Sequence, residues 1–359
     1  MTPRDSETST PRRGYDAQAI HHRPEPSPMP HRSPFALSLA SSLAVGLGTA
    51  LIHARPGARL WAATAAGVSV APSDSLTAPA RAQLAAARRA VASLATPEAA
   101  IAAGYRPMFG HVPLQGEHYV RVDLVMAGTF DVERPSALMF SPIAGKPALV
   151  GAAYALLHPE GEALPAGFDG AADAWHVHEG LAQVAGKQLV MTHVWFVDAP
   201  GGPFARYNPT LPYLAAGLAQ PTAALLADSA AGERARRLGL ALASVVTPPL
   251  LFEWIERRGG AALRSRTAPH RAAIEALVPR LASAERAGDS AGRERLAAEA
   301  TRHAESLVAA YRGAVPERPL VARLVDRTVD EFLGRGHGVE EELGALFGGA
   351  PARRHTHEH

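Results

Sequence analysis

The sequence predicts an α+β chain: a β-rich, sandwich or barrel-like domain followed by a helical region, behind an N-terminal hydrophobic segment. Three observations predict it. Between residues 105 and 213, prolines and glycines punctuate short runs rich in β-branched and aromatic residues. On either side of that stretch, apolar residues recur at helical spacing. Ahead of both, Phe35 to Ile52 runs for eighteen residues without a charge.

Taken in order, residues 1–34 are polar and proline-rich and are expected to be a disordered tail, with Met29 as a possible second start. Residues 35–71 are expected to be a signal peptide or a membrane anchor. The uncharged run is followed by a basic turn, a second apolar stretch and small residues before Pro72, which suits export and cleavage. If uncleaved, residues 35–52 would be the membrane contact, at the lower edge of spanning length.

Residues 79–213 are expected to form the β-rich domain, opened by two helices. Leu84, Ala87, Val91 and Leu94 share one helical face, and Thr96-Pro97-Glu98 reads as a cap and first turn, with Gly104 ending that helix. Strands are then predicted in "HYVRVDLV", "SALMFSPI", "ALVGAAYALL" and "QLVMTHVWFVDA", with turns at "IAGKP" and "APGGP". Residues 214–350 read as helical. The apolar run from Leu238 to Ile255 is broken by Pro248-Pro249 and carries Glu253, so it predicts a buried or surface-lying helix pair, not a span. Residues 268–312 predict a helical hairpin. One stripe is Ile274, Leu277, Val278 and Leu281, the other Leu296, Ala300, His303 and Leu307, with Asp289 or Ser290 as the cap between them. A protein partner, if there is one, is expected on this hairpin. Residues 351–359 are a loose, His-rich tail.

Composition excludes several function classes. Hydrophobic residues make up 47% of 359 and charged residues 19%, enough to bury a core. A net charge of +2, no long Lys/Arg stripe and only 6% aromatics argue against nucleic acid as a partner. With no cysteine, disulfides, thiolate metal sites and cysteine nucleophiles are ruled out.

One stretch carries chemistry. In "DAWHVHEG", residues 173–180, His176 and His178 lie two apart. On a strand that spacing puts both rings on one face with Cα atoms about 6.5 Å apart, within reach of one divalent ion. Sixteen histidines produce about 0.7 such pairs by chance, so spacing alone does not decide. His193 follows fifteen residues after His178, on a face shared with Met191, Trp195 and Val197, and a hairpin would bring it beside the pair. His118 lies on a further strand, and Glu117 and Glu179 are carboxylates beside candidate ligands. The expected metal set is therefore His118, His176, His178 and His193, with Glu117 or Glu179 nearby, holding zinc or copper. His111, His158 and His337 read as packing or turn residues. Gly170-x5-His176-x-His178 also matches the opening of the cupin motif, which would imply iron or manganese, but Ala182 and Gln183 stand where its glutamate belongs.

The stretch from about residue 95 to 213 also resembles a largely uncharacterised family of exported bacterial proteins. The likeness rests on Gly116, His118 and Tyr119; Leu138, Phe140 and Pro142; Leu149 to Tyr154; His193 to Trp195; and Gly202, Phe204, Asn208 and Pro209. The chain departs from that pattern at Gln115 and at Ala199-Pro200. The resemblance implies that His118 and His193 belong to a shared polar site. It assigns no activity. No nucleophile motif or phosphate loop appears, so three classes stay open: a metal-binding protein, an interaction protein acting through its helical half, and a cupin-like metalloenzyme.

Overall fold

The computed structural model describes residues 76–169, 175–178, 184, 186–314, 319–336, 338, 339 and 343. The expectations for residues 1–71, for Glu179 and for the 351–359 tail fall outside them. All described residues belong to one compact unit, Gly57–His359.

Two N-terminal helices form where the caps predict. In α1 (Ala78–Ala90) the Thr77 hydroxyl accepts from the Ala80 N–H, and in α2 (Pro97–Ala102) Thr96 does the same for Ala99. The sheet follows: β1 (Arg106–Val112), β2 (Gly116–Val120), β3 (Ala137–Ile143), β4 (Lys146–Pro159), β5 (His176–His178) and β6 (Lys187–Trp195). Its order is β1-β2-β3-β4-β6-β5, antiparallel throughout. This is a meander with one exchange at its end. Among the described residues it is not the pair of Greek keys of a jelly roll, so they lend the cupin-like expectation no architectural support.

One expected strand is cut short. "HYVRVDLV" leaves the sheet at Val120 and continues as a short helix, α3 (Val122–Ala127). Arg121 pairs with Asp123 at its start, and Gly128, at φ 68°, caps its end. The physical reason lies in the spacing: Val122, Val125 and Met126 are related as i, i+3 and i+4, so a helical turn puts all three on one side.

Alternation along the strands builds two unlike faces. Leu138, Phe140, Ala152, Tyr154, Leu156, Val190 and Val194 pack with Leu84, Ala87, Val91 and Ala100 of the N-terminal helices. The other face carries Ala137, Met139, Ala153, Ala155, Leu157, Leu189, Met191 and Trp195. On its central strands Ala137, Gly151, Ala153 and Ala155 are small, with Met139 and Leu157 as the larger exceptions. At Gly151 a Cβ would stand 2.5 Å from Met139 Cε and 2.6 Å from the Val194 carbonyl oxygen.

The helical region comprises α4 (Leu211–Ala216), α5 (Ala223–Ala227), α6 (Ser229–Val246), α7 (Leu250–Ala287), α8 (Ser290–Gly313) and α9 (Pro319–Phe332). Pro248-Pro249 separates α6 from α7 with a 53° bend, and no single helix among the described residues is long and apolar enough to cross a membrane. Gly260 kinks α7 at φ 63°. Asp289 caps α8 by accepting from the Gly292 N–H. The predicted hairpin stripes face inward: Ile274, Leu277, Leu281, Ala300 and Leu307 lie in one core with residues of α6 and α9. Any partner of 268–312 would meet its polar outer surface.

Gly151→Ala is expected to lower stability by about 1–3 kcal/mol, because the neighbouring strand's backbone cannot give way. A lower urea midpoint with an unchanged slope would show it.

Candidate functional site

The small residues of β3 and β4 let the sheet curl over its second face. In a flat sheet β2 and β6, with β3 and β4 between them, would stand about 14 Å apart with parallel side chains. Instead the rings of His118 on β2 and His193 on β6 lie 5.9 Å apart between centroids. Ala137 and Ala153, the cross-strand neighbours that link Val120 to His193, leave the space between them open.

β5 adds the remaining histidines. His176 pairs with Met191 and His178 with Leu189, so both rings fall on the face that carries His193. The His176 ring lies 5.1 Å from that of His193 and 4.7 Å from that of His178. His193 is fully buried at 0% exposure, and His178 and His118 are nearly so at 3% and 6%. The structure thus gathers all four sequence-predicted histidines.

His193 is held in a defined state. Its Nδ1 lies 2.9 Å from the Arg206 carbonyl oxygen, which can only accept, so Nδ1 carries the proton. Nε2 then presents a lone pair, and it faces Met191 Sδ at 3.2 Å. Burial pushes the His193 imidazole well below its ordinary range, and His176, His118 and His178 push the same way. His178 is pushed down to about 3, by burial first and then by the Arg206 charge and His118. These two rings are neutral bases at physiological pH.

The segment after β6 supplies the anchor. It folds back along β6 beyond the reach of β5: the Trp195 N–H donates to the Pro203 carbonyl at 2.7 Å, and the Trp195 indole donates to the Ala205 carbonyl at 2.6 Å. Arg206 is the next carbonyl in that row. Phe204 stacks on Phe168, with ring centroids 4.6 Å apart. Buried Asn208 ties off the segment: its amide N–H donates to the Asp198 carbonyl, its side-chain oxygen accepts from Thr210, and its backbone N–H donates to the Leu114 carbonyl. The Gly202-Phe204-Asn208-Pro209 turn read from the sequence is therefore what fixes the His193 ring. Gly116, from the same set of residues, sits at φ 80°, where a Cβ would meet the Phe140 carbonyl oxygen at 2.5 Å.

One expected residue does not join. Glu117 alternates with His118, pairs across to Phe140 and His111, and so faces away from the cluster. Burial first, and then Glu253, raise its carboxyl above the usual range. Glu179 falls outside the described residues. Sequence reasoning also missed a member: Met191 was placed on the His193 face without being given a role. Among the described residues, no three His, Asp or Glu side chains are arranged to hold a metal ion as the chain stands.

Comparison with known proteins gives no matching family, no curated relative and no solved structure of similar fold.

Asn208→Ala is expected to cost about 2–3 kcal/mol, since it strands buried partners at Asp198 and Thr210. Asn208→Asp should do no better, because an oxygen would then face the Asp198 carbonyl. Urea unfolding of the two variants beside the parent checks both.

Proposed function

We propose that the chain is an exported or membrane-anchored protein that binds a transition metal ion, copper in preference to zinc, through His118, His176, His178, His193 and Met191. The observation that carries this reading is the His193 Nε2 lone pair set 3.2 Å from the Met191 sulfur, inside a ring of three further imidazoles. Two Lewis bases facing each other out of water are poorly matched to one another and well matched to a cation between them.

The distances are near those of a loaded site but would have to adjust, the 3.2 Å nitrogen–sulfur separation by a few tenths of an ångström. A metal with Zn-like bonds of about 2.1 Å to nitrogen and about 2.3 Å to sulfur, at a tetrahedral angle, holds those atoms about 3.6 Å apart. Two imidazoles on the same ion have centroids about 5.2 Å apart, and the separations here, 4.7, 5.1 and 5.9 Å, bracket that value. What loading requires is rotation of the rings to aim their nitrogens. The Arg206 carbonyl on the far side of His193 is the type of contact that orients metal-ligating histidines.

Ligand chemistry favours copper. A thioether beside imidazoles, with no carboxylate among the described residues of that face, is a soft to borderline set. Zinc remains compatible with the imidazoles alone. Export, and membership in the resembling bacterial family, belong to the same proposal and rest on the sequence before Pro72 and on the motif residues.

Metal content by elemental mass spectrometry tests it, on a chain whose His355, His357 and His359 are replaced by serine. The parent is expected to hold about one copper per chain. His193→Ala and the pair His176→Ala/His178→Ala should each weaken binding by about 100-fold or more, and Met191→Leu should reduce the preference for copper over zinc. Glu117→Gln should change nothing. A folded parent that takes up neither metal would return the histidines to a packing role.

A further inference from the structure

Against the histidine cluster lies a cavity of about 250 Å³. Its walls include Met108 on β1, Val120 on β2, Val122 and Met126 on α3, Leu157 on β4, Leu189 on β6 and Leu250 at the start of α7. His118, His178, Met191 and buried Gln115 also line it. Apart from Gln115, His118 and His178, every lining residue among the described residues is apolar, and none of these is Asp, Glu, Lys or Arg. Val122 and Met126 are exposed at the rim, at 58% and 55%, so the cavity is reachable from solvent.

We propose that this cavity binds a small uncharged organic molecule of the alkylphenol class, with its hydroxyl against Gln115, His118 and His178. Size, charge and polarity each narrow the ligand. An apolar cavity of about 150 Å³ holds one benzene ring, so this one has room for a ring with a short alkyl chain. A charged group would lose its hydration and gain no counter-ion from the described lining residues, which disfavours carboxylates, phosphates and amines. The polar lining groups are imidazole nitrogens and an amide, which together can both donate to and accept from a hydroxyl. An apolar site with a few convergent polar groups is the usual form of a small-molecule pocket. The inference shares three side chains with the metal reading but needs no ion.

Calorimetric titration of the full chain with 4-butylphenol tests it, on chelator-treated and on copper-loaded protein. One saturable site with a negative heat-capacity change is expected in the chelated chain. 4-Butylbenzoate, of similar shape but charged, should bind about 100-fold more weakly or worse. Ala155→Leu, which fills space inside the cavity, and Val122→Asp, which puts a charge on its exposed rim, should each weaken the phenol by about tenfold or more. Circular dichroism and unfolding midpoints show that the variants are folded, and the rim variant keeps the test open if the interior one is not. Absence of saturable heat overturns the inference. So does benzoate binding as tight as phenol, or phenol binding that both folded variants leave unchanged. The two proposals fail separately: phenol bound by a chain that takes no copper removes only the metal reading, and copper bound by a chain that ignores phenol removes only this one.

Discussion

The row of carbonyls that Pro203, Ala205 and Arg206 set against the end of β6 is the contact on which the site depends. β5 is three residues long and covers only the Leu189–Met191 part of that edge, so Trp195 would otherwise have an N–H with nowhere to go. The returning segment satisfies it, and in doing so takes the indole of Trp195 and the imidazole of His193 as further donors. One requirement of sheet chemistry thereby fixes the tautomer of the most buried histidine. Asn208 holds that segment in place from its far end, and through the Leu114 carbonyl it ties the segment to the β1–β2 turn that leads into the strand of His118.

The curl of the sheet is the second half of the arrangement. Its inner face is lined at the centre by Ala137, Ala153 and Ala155, with Gly151 under Met139 and Trp195. Larger residues there would hold the flanking strands apart, and the histidines of β2, β5 and β6 would stand side by side instead of turning toward one another. The outer face bears the bulky residues and packs against helices, so the asymmetry of side-chain volume between the two faces matches the direction of bending. Neutral imidazoles tolerate this burial better than charged groups would, which agrees with the depressed basicity of His178 and His193.

Much of this was legible in the sequence because it depends on period and punctuation. The capping threonines, the double proline between α6 and α7, the hairpin of α7 and α8, and the shared face of His176 and His178 all follow from local rules. What was not legible depends on curvature. Alternation places His193 and His118 on faces of their own strands, but no local pattern says that strands with two others between them will close on each other. Glu117 was grouped with His118 because it is adjacent in sequence, and adjacency on a strand is what sends it to the other side. The departure at Val122 was visible in principle, since the apolar residues change there from period two to helical spacing. Met191 was overlooked because methionine reads first as a packing residue, and only the turn of the His193 ring gives its sulfur a second meaning.

Leu250 carries a consequence for how the chain comes into being. Gly110, at φ 60° on β1, sits against Leu250, where a Cβ would stand 3.5 Å from Leu250 Cδ1, so the first turn of the long helix rests on a strand made some 140 residues earlier (250 − 110). Leu343 borders the same cavity from near the other end of the chain. A ribosome therefore delivers every histidine of the cluster well before it delivers the last residues that shelter them. Until then the apolar lining lacks the cover those residues give it, and transiently exposed apolar surface of this kind favours aggregation.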